Sequence, residues 1–181
     1  MRNQDGLTLI ELVVSMVLVA VLAAWAIPSL SHLLQQQRLT VRTNELVTAL
    51  HLARTTAIQR GVDVMLCASA DGMNCGSNAG YTPGWLVFED RERNGLVDAG
   101  ERVLSIRRFD DPSGPSITGN RMVADYVSFD RRGYSRTLAG AFQAGTLTLC
   151  GEVGEGRAIT LNRVGRVRAS RVHCPDMPSG A

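Results

Sequence analysis

Residues 7–34 read LTLIELVVSMVLVAVLAAWAIPSLSHLL, and this run decides the class of the chain. From Leu7 to Ile27 there are 21 residues with one charge, Glu11. As a helix rising ~1.5 Å per residue, that length covers about 30 Å, the hydrocarbon thickness of a bilayer. Six residues, Met1 to Gly6, precede the run, and Arg2 is the sole basic one among them. An ordinary secretory signal has a shorter apolar core followed by a small-residue cleavage site. Ala23-Ala24-Trp25-Ala26 imitates such a site, but the length of the run favours a transmembrane helix. A carboxylate inside such a helix costs about 2.5–3.5 kcal/mol on insertion scales. Glu11 therefore needs a partner, or a place near the helix end from which it snorkels to water.

Outward from this run the helical period continues. Leu39, Leu46 and Ala53 are seven apart, as are Thr43, Leu50 and Ala57, and Val47 and Ile58 fill the same stripe. Arg38, Arg42, Glu45 and Gln59 fall mainly elsewhere, so one face is apolar and calls for a cover. Gly61 supplies the stop signal. From Val62 the period changes to two. Val62–Cys67, Trp85–Phe88, Val103–Ile106, Tyr126–Phe129, Leu147–Cys150 and Ala158–Leu161 read as short strands, separated by Gly, Pro, Asn and Asp clusters. One long helix followed by about six short strands predicts an α+β fold in which antiparallel sheets pack on the helix.

The 181 residues suffice for one globular domain and an additional segment. Apolar residues make up 45% and charged residues 20%, which excludes a disordered chain. The formal net charge of +2 names no partner by itself. All 19 basic residues are Arg, a bias that a GC-rich genome or a need for guanidinium chemistry would each produce. The three histidines, His32, His51 and His173, have no metal-ligand spacing, and neither G-x-S-x-G nor H-E-x-x-H occurs. The reading is of a protein that is not an enzyme.

Four cysteines outside the membrane run suit an oxidising compartment. Three pairings are open to them. Cys67–Cys75, across a Gly/Asn-containing loop, and Cys150–Cys174, bracketing the last strands, are the expected ones. A zinc site is disfavoured because no C-x₂-C pair exists. Between Asp90 and Glu101, oxygen side chains fall at Asp90, Glu92, Asn94, Asp98 and Glu101 with Gly95 at the sixth position, the spacing of an EF-hand calcium loop. The flanks read as strands and Arg91, Arg93 and Arg102 offset the charge. A hairpin connection held by its own turn hydrogen bonds is therefore favoured over calcium, and no cofactor is expected.

From Arg157 to Arg171 the chain carries Arg157, Arg163, Arg166, Arg168 and Arg171 with no acidic residue. If Gly165-Arg166-Val167-Arg168 is extended, Arg166 and Arg168 point to one side and Val167 to the other. Two guanidinium groups so placed can grip successive phosphates, and Gly165 permits a sharp turn or a close approach. The alternative is a solvated edge strand whose arginines discourage aggregation. No Phe, Tyr or Trp follows Phe142, so any nucleic-acid binding would be led by phosphate and not by stacking on bases.

Gly6-Leu7-Thr8-Leu9-Ile10-Glu11-Leu12 resembles the class III signal of type IV pilins and type II secretion pseudopilins. The resemblance implies cleavage after Gly6 by a prepilin peptidase, N-methylation of Leu7 by the same enzyme, and pairing of Glu11 with the terminal amine of a neighbouring subunit. Leu7 stands where the family usually has Phe, and Pro28 lies where pilins often have a kinking proline. Gly84-Trp85-Leu86-Val87-Phe88, the Asp90–Glu101 segment, Phe129-Asp130-Arg131-Arg132-Gly133 and Leu147-Thr148-Leu149-Cys150 are similar to the GspH/FimT family of minor pilins. In its FimT-like branch a Gly-Arg-x-Arg element near the carboxy terminus binds DNA during natural transformation. Carried over, Gly165, Arg166 and Arg168 are the motif positions, while Arg163 and Arg171 join them on local charge alone.

The resulting expectation is a pilin-like chain with a leader at 1–6, a transmembrane or filament-core helix at 7–34, its amphipathic continuation at 35–61 and a β-rich domain at 62–181. The chain would sit as a single pass in the inner membrane with its globular domain in the periplasm, then appear at the cell surface in a pilus. Its partners would be other pilin subunits, the peptidase/methyltransferase and duplex DNA. The competing expectation is a type II secretion pseudopilin with a purely structural role.

Overall fold

The computed structural model of the chain describes residues 9–76, 78–111, 114–151 and 154–174, with backbone alone at 23–29 and 31–32. Helix α1 spans Leu9–Arg60, and the chain divides into two compact units, Met1–Gln37 and Arg38–Ala181. In the first unit every side chain from Leu9 to Leu22 is exposed, and Glu11 is the one charge among them. Among the described residues no helix is long and apolar enough to cross a membrane. The expected span begins at Leu7, outside the described residues, and passes through 23–29, whose side chains also lie outside them.

In the second unit the apolar stripe of α1 is buried as its period requires. Leu39, Thr43, Leu46, Ala49, Leu50, Ala53 and Ala57 all face the core, and each fully buried Leu contributes roughly 1.5–3 kcal/mol. Thr43 is tolerated there because its hydroxyl donates to the Leu39 carbonyl at 2.7 Å. Ile58 departs from the expected stripe and is 49% exposed. Its side chain instead lies against Gly133, in the turn that follows β5. After Arg60, Gly61 adopts φ 64° and its N–H reaches the Ala57 carbonyl at 3.0 Å, which ends the helix.

Among the described residues eight strands follow: β1 Val64–Ala68, β2 Gly84–Glu89, β3 Val103–Arg108, β4 Ser116–Gly119, β5 Tyr126–Phe129, β6 Gly145–Cys150, β7 Glu155–Leu161 and β8 Val167–His173. They form two four-stranded sheets, ordered β3-β2-β1-β5 and β4-β6-β7-β8, with antiparallel pairing throughout. One core unites the helix stripe with Val64, Leu66, Val87, Val127 and Phe129 of the first sheet and Ile117, Leu147, Leu149, Ile159 and Leu161 of the second. Strands β1 and β2 are buried along their whole length, not in alternation. Their outer face is covered by a second cluster, in which Met65, Cys67, Leu86 and Phe88 meet Tyr126 of β5 and Cys75, Val97 and Leu138 from the loops.

Sequence patterning leaves out β4 and does not settle β8. Strand β4 carries a single apolar side chain, Ile117, and β8 is exposed along most of its length, so neither shows the apolar alternation that marks a strand. Cys67 is bonded to Cys75 with Cα atoms 5.5 Å apart, and Cys150 to Cys174 with Cα atoms 5.9 Å apart. The second bridge ties the chain just beyond β8 back to β6, across β7.

Candidate nucleic-acid interface

The β7–β8 connection is built by Asn162. The Gly165 N–H donates to the Asn162 carbonyl at 2.9 Å, the Asn162 N–H to the Arg166 carbonyl at 3.1 Å, and the Arg166 N–H to Asn162 Oδ1 at 2.8 Å. Gly165 closes this turn at φ 74°, a left-handed conformation that favours glycine. It is also buried. A Cβ there would run into the Gly133 carbonyl oxygen and come within 3.2 Å of the Phe129 ring.

Arg54 of α1 docks the turn. Its Nε donates to the Gly133 carbonyl at 3.1 Å and its Nη2 to the Val164 carbonyl at 3.0 Å. The Ser135 N–H adds a bond to the Arg163 carbonyl at 3.3 Å. The 162–166 turn and the 130–135 turn are thereby fixed to each other and to the helix. The far end of β8 is held by the Cys150–Cys174 bridge, so the basic edge is anchored at both ends.

The arginines divide by position. Because β8 begins at Val167, Arg166 closes the turn and only Arg168 of the motif pair lies in the strand. The left-handed Gly165 and the Asn162 bonds impose this boundary, where a fully extended segment was one expectation. Register pairs Leu161 with Val167, Thr160 with Arg168 and Arg157 with Arg171. Paired residues share a face, so Val167 packs toward the core beside Leu161 and Arg168 projects away from it. Arg171 falls on the opposite face from Arg168, where it lines a hollow with Arg157, Thr40 and Asn44. Arg163, Arg166, Arg168 and Arg171 are all exposed.

The ion pairs among the described residues involve Arg38, Arg42, Arg60, Arg91, Arg93, Arg107, Arg108 and Arg136. None of Arg131, Arg132, Arg163, Arg166, Arg168 and Arg171 has an acidic partner among those residues. Arg131 and Arg132 are exposed on the turn that Arg54 ties to the Gly165 turn. In the sequence this Asp-Arg-Arg-Gly turn stands as a family feature, apart from the carboxy-terminal basic run. The signal available was the pair of adjacent arginines; what brings them beside Arg163 is a contact about 30 residues away in sequence.

The Asp90–Glu101 loop uses its oxygens on itself. Asp90 Oδ1 and Oδ2 accept from the Asn94 and Gly95 N–H groups at 3.1 and 3.2 Å. Glu101 accepts from the Arg91 N–H at 2.7 Å and the Asp98 N–H at 3.2 Å, and Asn94 Nδ2 donates to Asp98 at 2.6 Å. Burial raises the Asp90 carboxyl above its usual range, with the backbone bonds opposing. Among the described residues no three His, Cys, Asp or Glu side chains converge as a metal site. Of the expected processing residues, Gly6 and Leu7 lie outside the described residues, and Glu11 is exposed near the start of α1.

A helix packed on antiparallel sheets, behind an apolar amino-terminal run, is the make-up of a pilin-type filament subunit. Residues 1–27 match the model of the Prokaryotic N-terminal methylation motif, and residues 42–165 match the family described as Type II transport protein GspH. The chain belongs to the GspH family, whose members are structural pilins and pseudopilins. The methylation motif implies processing by a prepilin peptidase and assembly with other pilins. Among solved structures, the type IV minor pilin FimU of Pseudomonas aeruginosa strain PAO1, in its P21 crystal form, is similar with a TM-score of 0.54 and 16% identity over 75% of this chain and 90% of that one. Its P65 form gives 0.48 and 18% over 73% and 92%. At these identities the likeness of the first is one of fold, and the second carries no weight. Comparison with curated proteins gives no match. The GspH match ends at Gly165, so Arg166 and Arg168 lie just past it.

Proposed function

We propose that this protein is a minor pilin of a type IV pilus that binds duplex DNA through the β7–β8 hairpin and supports DNA uptake in natural transformation. The observation that carries this reading is a hairpin on a sheet edge, anchored at both ends and without an acidic residue from Arg157 to Arg171, whose exposed guanidinium groups there have no acidic partner among the described residues. Arg166 and Arg168, with Gly165 shaping the turn, are the principal contacts; Arg163 and Arg171 assist. Such contacts address phosphate and are indifferent to base sequence, which suits a receptor that must accept any duplex.

In the same reading the peptidase cuts after Gly6, Leu7 is N-methylated, and Glu11 answers the new amine of a neighbouring subunit. The exposed apolar side chains from Leu9 to Leu22 support a segment covered by lipid before assembly and by other subunits afterwards. The chain then resides as a single pass in the inner membrane, with the Arg38–Ala181 unit in the periplasm, and reaches the cell surface in the pilus.

The test is a duplex titration of the full chain in non-ionic detergent at several salt concentrations. Arg166→Ala with Arg168→Ala should weaken binding to every duplex and lower the log–log salt slope by up to about 1.8. Unchanged affinity and slope would refute the DNA role. The family description as a type II transport protein favours a second reading, a secretion pseudopilin with a structural role. That reading predicts no salt-dependent duplex binding and a gene neighbourhood of secretion components in place of pilus and competence genes.

A further inference from the structure

Beside the hairpin lies a polar cleft of about 450 Å³ lined by Asp63, Arg93, Asp130, Arg131, Arg132 and Arg136. Its two acids are already engaged. Asp63 pairs with Arg93 at 2.7 Å. Asp130 pairs with Arg136 at 3.5 Å, and its Oδ1 accepts from the Arg132 and Tyr134 N–H groups at 2.9 and 3.0 Å. Arg131 and Arg132 remain, exposed and without an acidic partner among the described residues. The cleft thus carries two uncompensated positive charges on successive residues of a tight turn, closed by the Gly133 N–H to the Asp130 carbonyl at 2.7 Å. Planar guanidinium forks in such a place suit a tetrahedral oxyanion.

We propose that this cleft is a second phosphate-binding site, in which Arg131 and Arg132 take the backbone of the same duplex that the β7–β8 hairpin engages. The inference rests on the DNA-binding reading for its ligand, and on the geometry here for its place. Arg54 bonds the Gly133 and Val164 carbonyls at once, and Ser135 bonds the Arg163 carbonyl. The two basic turns are therefore held at a fixed spacing, as two contacts on one rigid polyanion require. A flexible arm would pay entropy for each contact separately; these turns are preorganised. Free phosphate shares the chemistry, so the test has an arm for each source.

With the full chain in non-ionic detergent, Arg131→Ala with Arg132→Ala should lower the duplex salt slope by up to about 1.8, in addition to the loss from Arg166→Ala with Arg168→Ala, while the melting temperature stays unchanged. Arg131→Lys with Arg132→Lys should restore most of the slope. In the second arm, inorganic pyrophosphate should shift the Arg131 and Arg132 side-chain Nε–H resonances, equally in the presence of the Arg166→Ala and Arg168→Ala changes. A wild-type slope in the Arg131/Arg132 variant, with the hairpin variant impaired, overturns this inference and leaves the hairpin reading intact. Absence of any pyrophosphate shift at the two residues overturns it whatever the duplex does. If no form of the chain binds duplex yet pyrophosphate shifts both residues, the DNA reading falls, the shared-duplex claim falls with it, and the cleft stands as a site for free phosphate.

Discussion

Gly165 shows how a single position can carry a surface. Its φ of 74° and the Gly133 carbonyl against its missing Cβ make two separate demands for glycine. Gly165→Ala should lose about 2 kcal/mol or more, since the left-handed backbone alone costs roughly 1–2 kcal/mol for an L side chain and the contact must also be relieved. Duplex affinity should fall as well, although every arginine is retained. Gly61 provides the control, because it has a similar φ of 64° but open space where a Cβ would go. Gly61→Ala should cost only the backbone part, about 1–2 kcal/mol. Chemical denaturation of both variants checks the difference. The motif made Gly165 visible in the sequence as a turn residue. The obstacle that excludes alanine belongs to a turn about 30 residues earlier and has no local signature.

Strand β8 is an edge element with a burial pattern that is exposed at five of seven positions. Little apolar packing holds it, so its order depends on pairing with β7, on Arg54 at one end and on the Cys150–Cys174 bridge at the other. The bridge closes a sequence separation of 24 residues, for which the chain-entropy model gives about 3–4 kcal/mol. Cys150→Ser with Cys174→Ser should therefore lower stability by that amount and speed amide exchange along β8 before the rest of its sheet. The Cys67–Cys75 bridge closes a separation of only 8, so Cys67→Ser with Cys75→Ser should cost less, roughly 2.5 kcal/mol. Hydrogen exchange followed strand by strand separates a bridge that secures the basic edge from one that merely closes a loop.

Over the whole domain, composition alone merges two groups of arginines with different surroundings. One group pairs with acids that range from buried to exposed. Glu89 is fully buried between Arg60 and Arg91, each at 2.8 Å. Burial by itself would raise its carboxyl, but the Arg91 hydrogen bond and the charges of Arg60 and Arg91 outweigh it and hold the pKa below the usual range. A carboxyl lowered in the folded state stabilises the fold above its unfolded value, near ~4.3, and that contribution disappears as pH falls through the folded value. Melting temperature should thus hold from pH 7 to about pH 5 and drop below about pH 4.3. Glu89→Gln should start lower at pH 7 and show a shallower acid limb; an acid limb identical to wild type would contradict the assignment. The other group of arginines, at the β7–β8 hairpin and the 130–133 turn, meets no acid among the described residues and is left to act on solvent or ligand.

Local patterning was enough for the class, the α+β arrangement, six of the strands and the motif Gly165-Arg166-Val167-Arg168, because the helix and those strands advertise themselves through apolar period and turn residues. It did not reach β4, which has one apolar side chain, or the boundary of β8, which is mostly exposed, nor the exposure of Ile58, which packs on a turn instead of the core. It also left Arg54, Arg131 and Arg132 out of the basic surface. Their roles arise from hydrogen bonds between residues 79 and 110 positions apart, and contacts of that span leave no pattern along the chain.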